Sequence, residues 1–118
     1  MKVTVSRKRW GRGDTGGKLL RDGGKMCCLG FGCRQTGIRA SVLKDTGLPA
    51  TLFRRGQLRD KEVVALAASP FIDADGANSA LSVKASTIND NDQITDRSRE
   101  QQLRECFKLH GHQIVFKP

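Results

Sequence analysis

The chain of 118 residues has no tyrosine, one tryptophan and five phenylalanines, which excludes a core made of stacked aromatic rings. What is buried must be mainly aliphatic and alanine-rich. Only two histidines occur, so imidazole chemistry can come from His110 or His112 alone. No window approaches the roughly 18 apolar residues that a membrane span needs. The opening residues, Lys2 followed by Arg7-Lys8-Arg9, lack an apolar stretch of signal-peptide length. The expectation is a soluble cytoplasmic protein without membrane contact, in which the four cysteines remain thiols. The adjacent pair Cys27-Cys28 could not bond to itself without severe strain.

Acidic residues are scarce in one half only. Residues 1–61 carry fifteen Lys and Arg against four acids, a balance of +11, whereas residues 62–118 carry six against eight, a balance of −2. Charge segregated in this way points to an anionic partner met through the first half: nucleic acid, a nucleotide or an acidic protein face. A solvated charge run is the alternative.

The length fits one compact domain over residues 1–118. Residues 2–7 alternate, with Val3 and Val5 on one face, as a half-buried strand does. A loop containing Trp10, Gly11, Gly13, Gly16 and Gly17 follows. The pattern then predicts a helix from Met26 or Cys27 to Thr36, with Gly37 just beyond its end. Further helices are expected within residues 38–49, ending near Asp45-Thr46-Gly47 because Pro49 blocks continuation, and over residues 61–68 and 78–87. The last helix begins at Thr95 or Asp96. Leu103, Cys106, Phe107 and His110 recur at helical spacing along it, Gly111 stops it, and residues 112–116 close the chain as a strand. The expected fold is α+β: N- and C-terminal strands paired in a small antiparallel sheet against three to four helices.

Several constellations carry possible chemistry. The glycine loop ending at Lys18 departs from a phosphate-cradling loop, since Arg12 and Leu19 stand where a glycine and a hydroxyl residue are required. Cys27 or Cys28 at a helix N-terminus beside Lys25 could be a nucleophile, with His110 or His112 as base and Asn89 or Asp90 orienting it. Against this stands the tendency of free cysteine to be buried packing. Cys28, Cys33, Cys106, His110 and His112 offer soft ligands for zinc, at spacings looser than those of zinc fingers. Asn89-Asp90-Asn91-Asp92 could ligate a hard cation or cap the following helix, and in Asp73-Ala74-Asp75-Gly76 Lys84 stands where a calcium loop needs its closing glutamate; turn and capping roles are favoured for both. No cofactor is implied. The strongest patch is basic: Arg7, Lys8, Arg9, Trp10, Arg12, Lys18, Arg54, Arg55 and Arg59. A lone Trp among arginines could stack on a base, or it could be core.

Trp10-Gly11-Arg12-Gly13, the element Gly24-Lys25-Met26-Cys27-Cys28-Leu29-Gly30-Phe31 and the later Ile88-Asn89-Asp90 together resemble the motif set of a group of small bacteriophage and prophage proteins. The ending, with Arg99-Glu100 and His110-Gly111, is similar as well. The resemblance runs from about Val3 to Phe116. It implies viral origin and a shared fold rather than a mechanism, and a role for Asn89-Asp90 in tethering the loop that enters the cysteine helix. The functional expectation is an accessory protein in the host bacterial cytoplasm that binds a host protein or nucleic acid stoichiometrically, for instance to blunt a defence system. A thiol hydrolase or transferase and a small zinc domain are the alternatives, and the reading leans away from an enzyme.

Overall fold

A computed structural model of the chain describes residues 1–14 and 17–118; Gly16 of the expected glycine loop lies outside the described residues. The order is β1 (Lys2–Ser6), a 3-10 turn (Arg7–Arg9), α1 (Cys28–Thr36), α2 (Ala40–Leu43), α3 (Pro49–Arg55), α4 (Asp60–Ala67), α5 (Ala80–Asp90), α6 (Asp96–Leu109) and β2 (Gln113–Lys117). The two strands pair with Val3 opposite Ile114 and Val5 opposite Phe116. All four of these side chains are buried on the face that meets the helices.

The strands run parallel, which corrects the antiparallel expectation. Alternation of apolar and polar residues assigns each side chain to a face, but it reads the same in either chain direction. Direction is set by the intervening path. Here all six α-helices lie between the two strands, and α6 turns back through Gly111, at φ 80°, to launch β2 alongside β1.

The helix count is also corrected, from three or four to six. Residues 38–49 hold only the single turn α2, and Pro49 starts α3 rather than merely ending what precedes it. At the first helical position the missing proline N–H is no loss. The helix expected over residues 78–87 is α5; Ser79 caps it by accepting the Ser82 N–H at 3.1 Å, and it runs on through Asn89 and Asp90. Those two residues therefore close α5 and do not cap α6. That cap is Thr95, whose hydroxyl accepts the Ser98 N–H at 3.2 Å.

The core centres on α1, whose residues Cys28 to Cys33 are all buried. Its two glycines permit close approach. A Cβ on Gly30 would lie 1.9 Å from the Leu19 carbonyl oxygen, and one on Gly32 would lie 2.3 Å from the Phe71 ring. The helix thus packs directly against the Leu19 backbone at Gly30 and against the tip of the Phe71 ring at Gly32.

Glu62 secures the far side of the fold. Its carboxylate is buried and accepts the Arg39 and Arg59 backbone N–H groups, both at 2.9 Å, and the Arg39 Nε at 3.1 Å. These bonds to the charged form, the Arg39 and Arg59 amides first, hold its pKa down at about 2. Because the folded value lies below the unfolded one, near 4.5, Glu62 stabilises the protein fully above pH 4.5, and this contribution is lost as pH falls toward about 2. Glu62→Gln should cost about 2 kcal/mol at neutral pH and flatten the acid limb of the stability profile, measured by urea denaturation from pH 7 downward. An unchanged acid limb would refute this role.

Candidate functional site

The three motifs that stand apart in sequence meet around one side chain. Asn89, in the last turn of α5, is fully buried. Its Oδ1 accepts the Trp10 indole N–H at 2.8 Å and the Cys28 backbone N–H at 3.1 Å. Its Nδ2 donates to the Gly11 carbonyl at 3.0 Å and to Asp90 Oδ1 at 2.9 Å. The Asn89 carbonyl in turn accepts the Gly13 N–H at 2.8 Å. One amide thereby joins the Trp-x-Arg-Gly loop, the N-terminus of the cysteine helix and the Ile-Asn-Asp turn.

The loop is strapped down further by its own arginines. Arg12 places its guanidinium 4.7 Å from the Trp10 ring centre, donates to the Arg7 and Trp10 carbonyls at 3.2 and 2.9 Å, and grips Asp96 Oδ2 at 2.9 Å. Arg7 forms a two-pronged pair with Glu100, at 2.8 and 2.9 Å. Both acids are on α6, and hydrogen bonds from Arg12 and Arg7 hold the Asp96 and Glu100 carboxyls below their usual values. Arg99, also on α6 and buried, bonds to Asp96 and to the Asn91 and Ile94 carbonyls. Nothing in the local sequence marks the Arg7–Glu100 and Arg12–Asp96 partnerships, whose members lie 93 and 84 residues apart.

The basic patch accordingly divides. Trp10 is 1% exposed, packs against Phe116 with ring centres 4.8 Å apart, and presents no face for stacking on a base. Arg7 and Arg12 are half-buried and engaged with acids. Lys18 is exposed and pairs with Asp45 at 3.2 Å. Arg55 donates to Thr46 Oγ1 and the Lys44 carbonyl, and Arg54 to Thr51 Oγ1. Lys8, Arg9, Arg54, Arg55 and Arg59 are exposed, and none has a carboxylate partner among the described residues.

The four thiols are buried. Cys27 stands at the N-cap of α1, where burial raises its pKa to about 11 despite N–H contacts from Gly30 and Leu29. Burial also pushes Cys28 and Cys33 well up. A helix N-terminus favours thiolate only where water or a cation can support the charge, and desolvation wins here. Cys28 Sγ is directed at the Ala85 carbonyl, 3.9 Å away. The imidazoles lie elsewhere: His110 Nδ1 is 2.9 Å from the Cys106 carbonyl at the end of α6, and His112 Nδ1 is 3.0 Å from the Met1 amino group. No hydrogen bond joins a thiol to an imidazole among the described residues. Asn89 and Asp90 orient the Trp10 loop, not a histidine, and burial raises the Asp90 pKa.

The candidate zinc ligands Cys28, Cys33, Cys106, His110 and His112 are likewise not drawn together. Among the described residues no group of three or more His, Cys, Asp or Glu side chains is placed to hold a metal ion. Cys106 and His110 instead help to line a groove of about 420 Å³ between α5 and α6. Protein-family models, curated proteins and solved structures were compared with the chain, and none matches.

Two measurements check this geometry. Asn89→Ala leaves the Trp10 and Cys28 N–H groups buried without acceptors, and should cost about 3 kcal/mol or more; a red shift of the single tryptophan's fluorescence would report the opened loop, and a loss below about 0.5 kcal/mol would refute the bridging role. Cys27, Cys28 and Cys33 should resist iodoacetamide at pH 8 in the folded protein and label rapidly once it is unfolded in urea. Fast labelling of Cys27 or Cys28 in the folded protein would restore the nucleophile reading.

Proposed function

We propose that this is a phage-encoded accessory protein that acts stoichiometrically, its basic first half docking on an anionic face of a host protein or nucleic acid and thereby interfering with a host process such as defence. The observation that carries the reading is the division of the basic residues. Two are consumed by the fold, Arg7 by Glu100 and Arg12 by Asp96, and Trp10 among them is taken up by Asn89. Lys8 and Arg9 on the 3-10 turn, with Arg54, Arg55 and Arg59 around the end of α3, are left at the surface without acids to neutralise them. Maintaining unneutralised charge raises self-repulsion, and an anionic partner relieves it.

Recognition then relies on charge and shape rather than on base stacking, because the only tryptophan is sealed in the core. The thiol-enzyme alternative loses its support with the thiols desolvated and separated from the imidazoles. The zinc alternative loses it with the five ligands dispersed.

The test is affinity capture from a bacterial lysate with the wild-type chain and with a Lys8→Glu, Arg9→Glu variant, at low salt and at about 300 mM salt. The expected result is one captured macromolecule at a fixed molar ratio, reduced about tenfold or more by charge reversal and strongly weakened by salt. Urea stability of the variant should change by less than about 0.5 kcal/mol, since both side chains are exposed. Capture indifferent to both charge reversal and salt would refute the proposal.

A further inference from the structure

The two edges of the β1–β2 sheet are finished differently. Gln113 N–H donates to the Met1 carbonyl at 3.0 Å. In a parallel ladder alternate residues turn both backbone groups to the same side, so Gln113, Val115 and Lys117 address β1, whereas Ile114 and Phe116 turn their N–H and C=O groups outward. On the opposite edge Lys2, Thr4 and Ser6 face outward, and the central one, Thr4, is covered. The Gln35 side chain of α1 accepts the Thr4 N–H at 3.1 Å and donates to the Thr4 carbonyl at 2.7 Å, as a neighbouring strand would. No group among the described residues does the same for Ile114 or Phe116.

A groove of about 340 Å³ runs beside this edge, lined by Arg104, Lys108, His112, Gln113, Ile114 and Val115. One wall is α6 and the other is β2, and Lys117 stands at the strand's end. The lining contains two cations, of which Arg104 is paired with Glu100 at 3.1 Å and Lys108 is not paired among the described residues. Lys108 and Lys117 are exposed and have no ion-pair partner among the described residues.

We propose that the β2 edge is a docking site for an extended acidic segment of a partner protein, which adds as a third strand between β2 and α6. The outward N–H and C=O groups of Ile114 and Phe116, which no group among the described residues engages, supply the main-chain pairing that holds such a segment. Lys108 and Lys117, which have no ion-pair partner among the described residues, select its charge, while Arg104 is held by Glu100 at 3.1 Å. A second copy of this chain is disfavoured as occupant, because pairing β2 with β2 would set two groups of these cations against each other. Nucleic acid satisfies the cations but not the strand's alternating donors and acceptors. This surface lies in the near-neutral half of the chain, and its Lys117 end, opposite Ser6, adjoins the 3-10 turn that carries Lys8 and Arg9.

Amide hydrogen exchange by NMR on the full chain tests it, with a synthetic peptide of about seven alternating Glu and Val residues as probe. In the free protein the Ile114 and Phe116 amides should exchange about tenfold or more faster than those of Val115 and Lys117. The peptide should slow Ile114 and Phe116 and shift resonances over residues 113–117. A peptide N-methylated at alternate residues, a Lys/Val counterpart and oligothymidylate should not, and Lys108→Glu should weaken the Glu/Val peptide about three- to tenfold. Equal protection of all four amides in the free protein would overturn the proposal. So would failure of the Glu/Val peptide to protect the edge at millimolar concentration, the same effect from the N-methylated peptide or the oligonucleotide, or protection that grows with protein concentration alone.

Discussion

Burying the carboxamide of Asn89 is the constraint on which the rest of the structure turns. A primary amide taken out of water needs partners for its oxygen and its two N–H groups, or it destabilises the fold by several kcal/mol in order of magnitude (about 2–7). Here every one of these is satisfied, by Trp10, Cys28, Gly11 and Asp90. The arrangement explains why the residue at position 10 carries an indole N–H and why the helix after Cys27 can begin in the core without a side-chain cap of its own. From that fixed point the loop's arginines reach α6, so one buried amide on α5 and two ion pairs to α6 bind the first dozen residues to the last two helices.

Much of this was legible in the sequence where a local periodicity recorded a burial face. Alternation at Val3 and Val5, the apolar residues and Gly37 around α1, and the spacing of Leu103, Cys106 and Phe107 each mark an element that the structure contains. Strand direction was not legible, since alternation has no polarity. Nor was the start of α3, because a proline that ends one helix and begins another leaves the same mark. Trp10 could be read as a stacking platform or as core. Its neighbours in sequence are arginines, and only the tertiary partners Asn89 and Phe116 decide for the core. The arginines themselves could not be sorted into structural and free, because the acids that claim Arg7 and Arg12 lie on the other side of the chain's length.

The vicinal cysteines take their meaning from the same geometry. They enter the core behind Asn89 as small polarisable packing, adjacent to Gly30 and Gly32, which let α1 settle against Leu19 and Phe71. With the thiols assigned to packing, surface charge remains as the chemistry available to a partner: exposed cations on the first half, and a cationic groove beside an unpaired strand edge on the second.

The most direct test of the central bridge is a double-mutant cycle between Trp10→Phe and Asn89→Ala, with stability measured by urea denaturation followed by circular dichroism. If the indole N–H and the Asn89 oxygen are bonded in the core, the two losses will fall short of additivity by about 1–2 kcal/mol. Losses that add to within about 0.3 kcal/mol would show the two residues to be independent and would contradict the account.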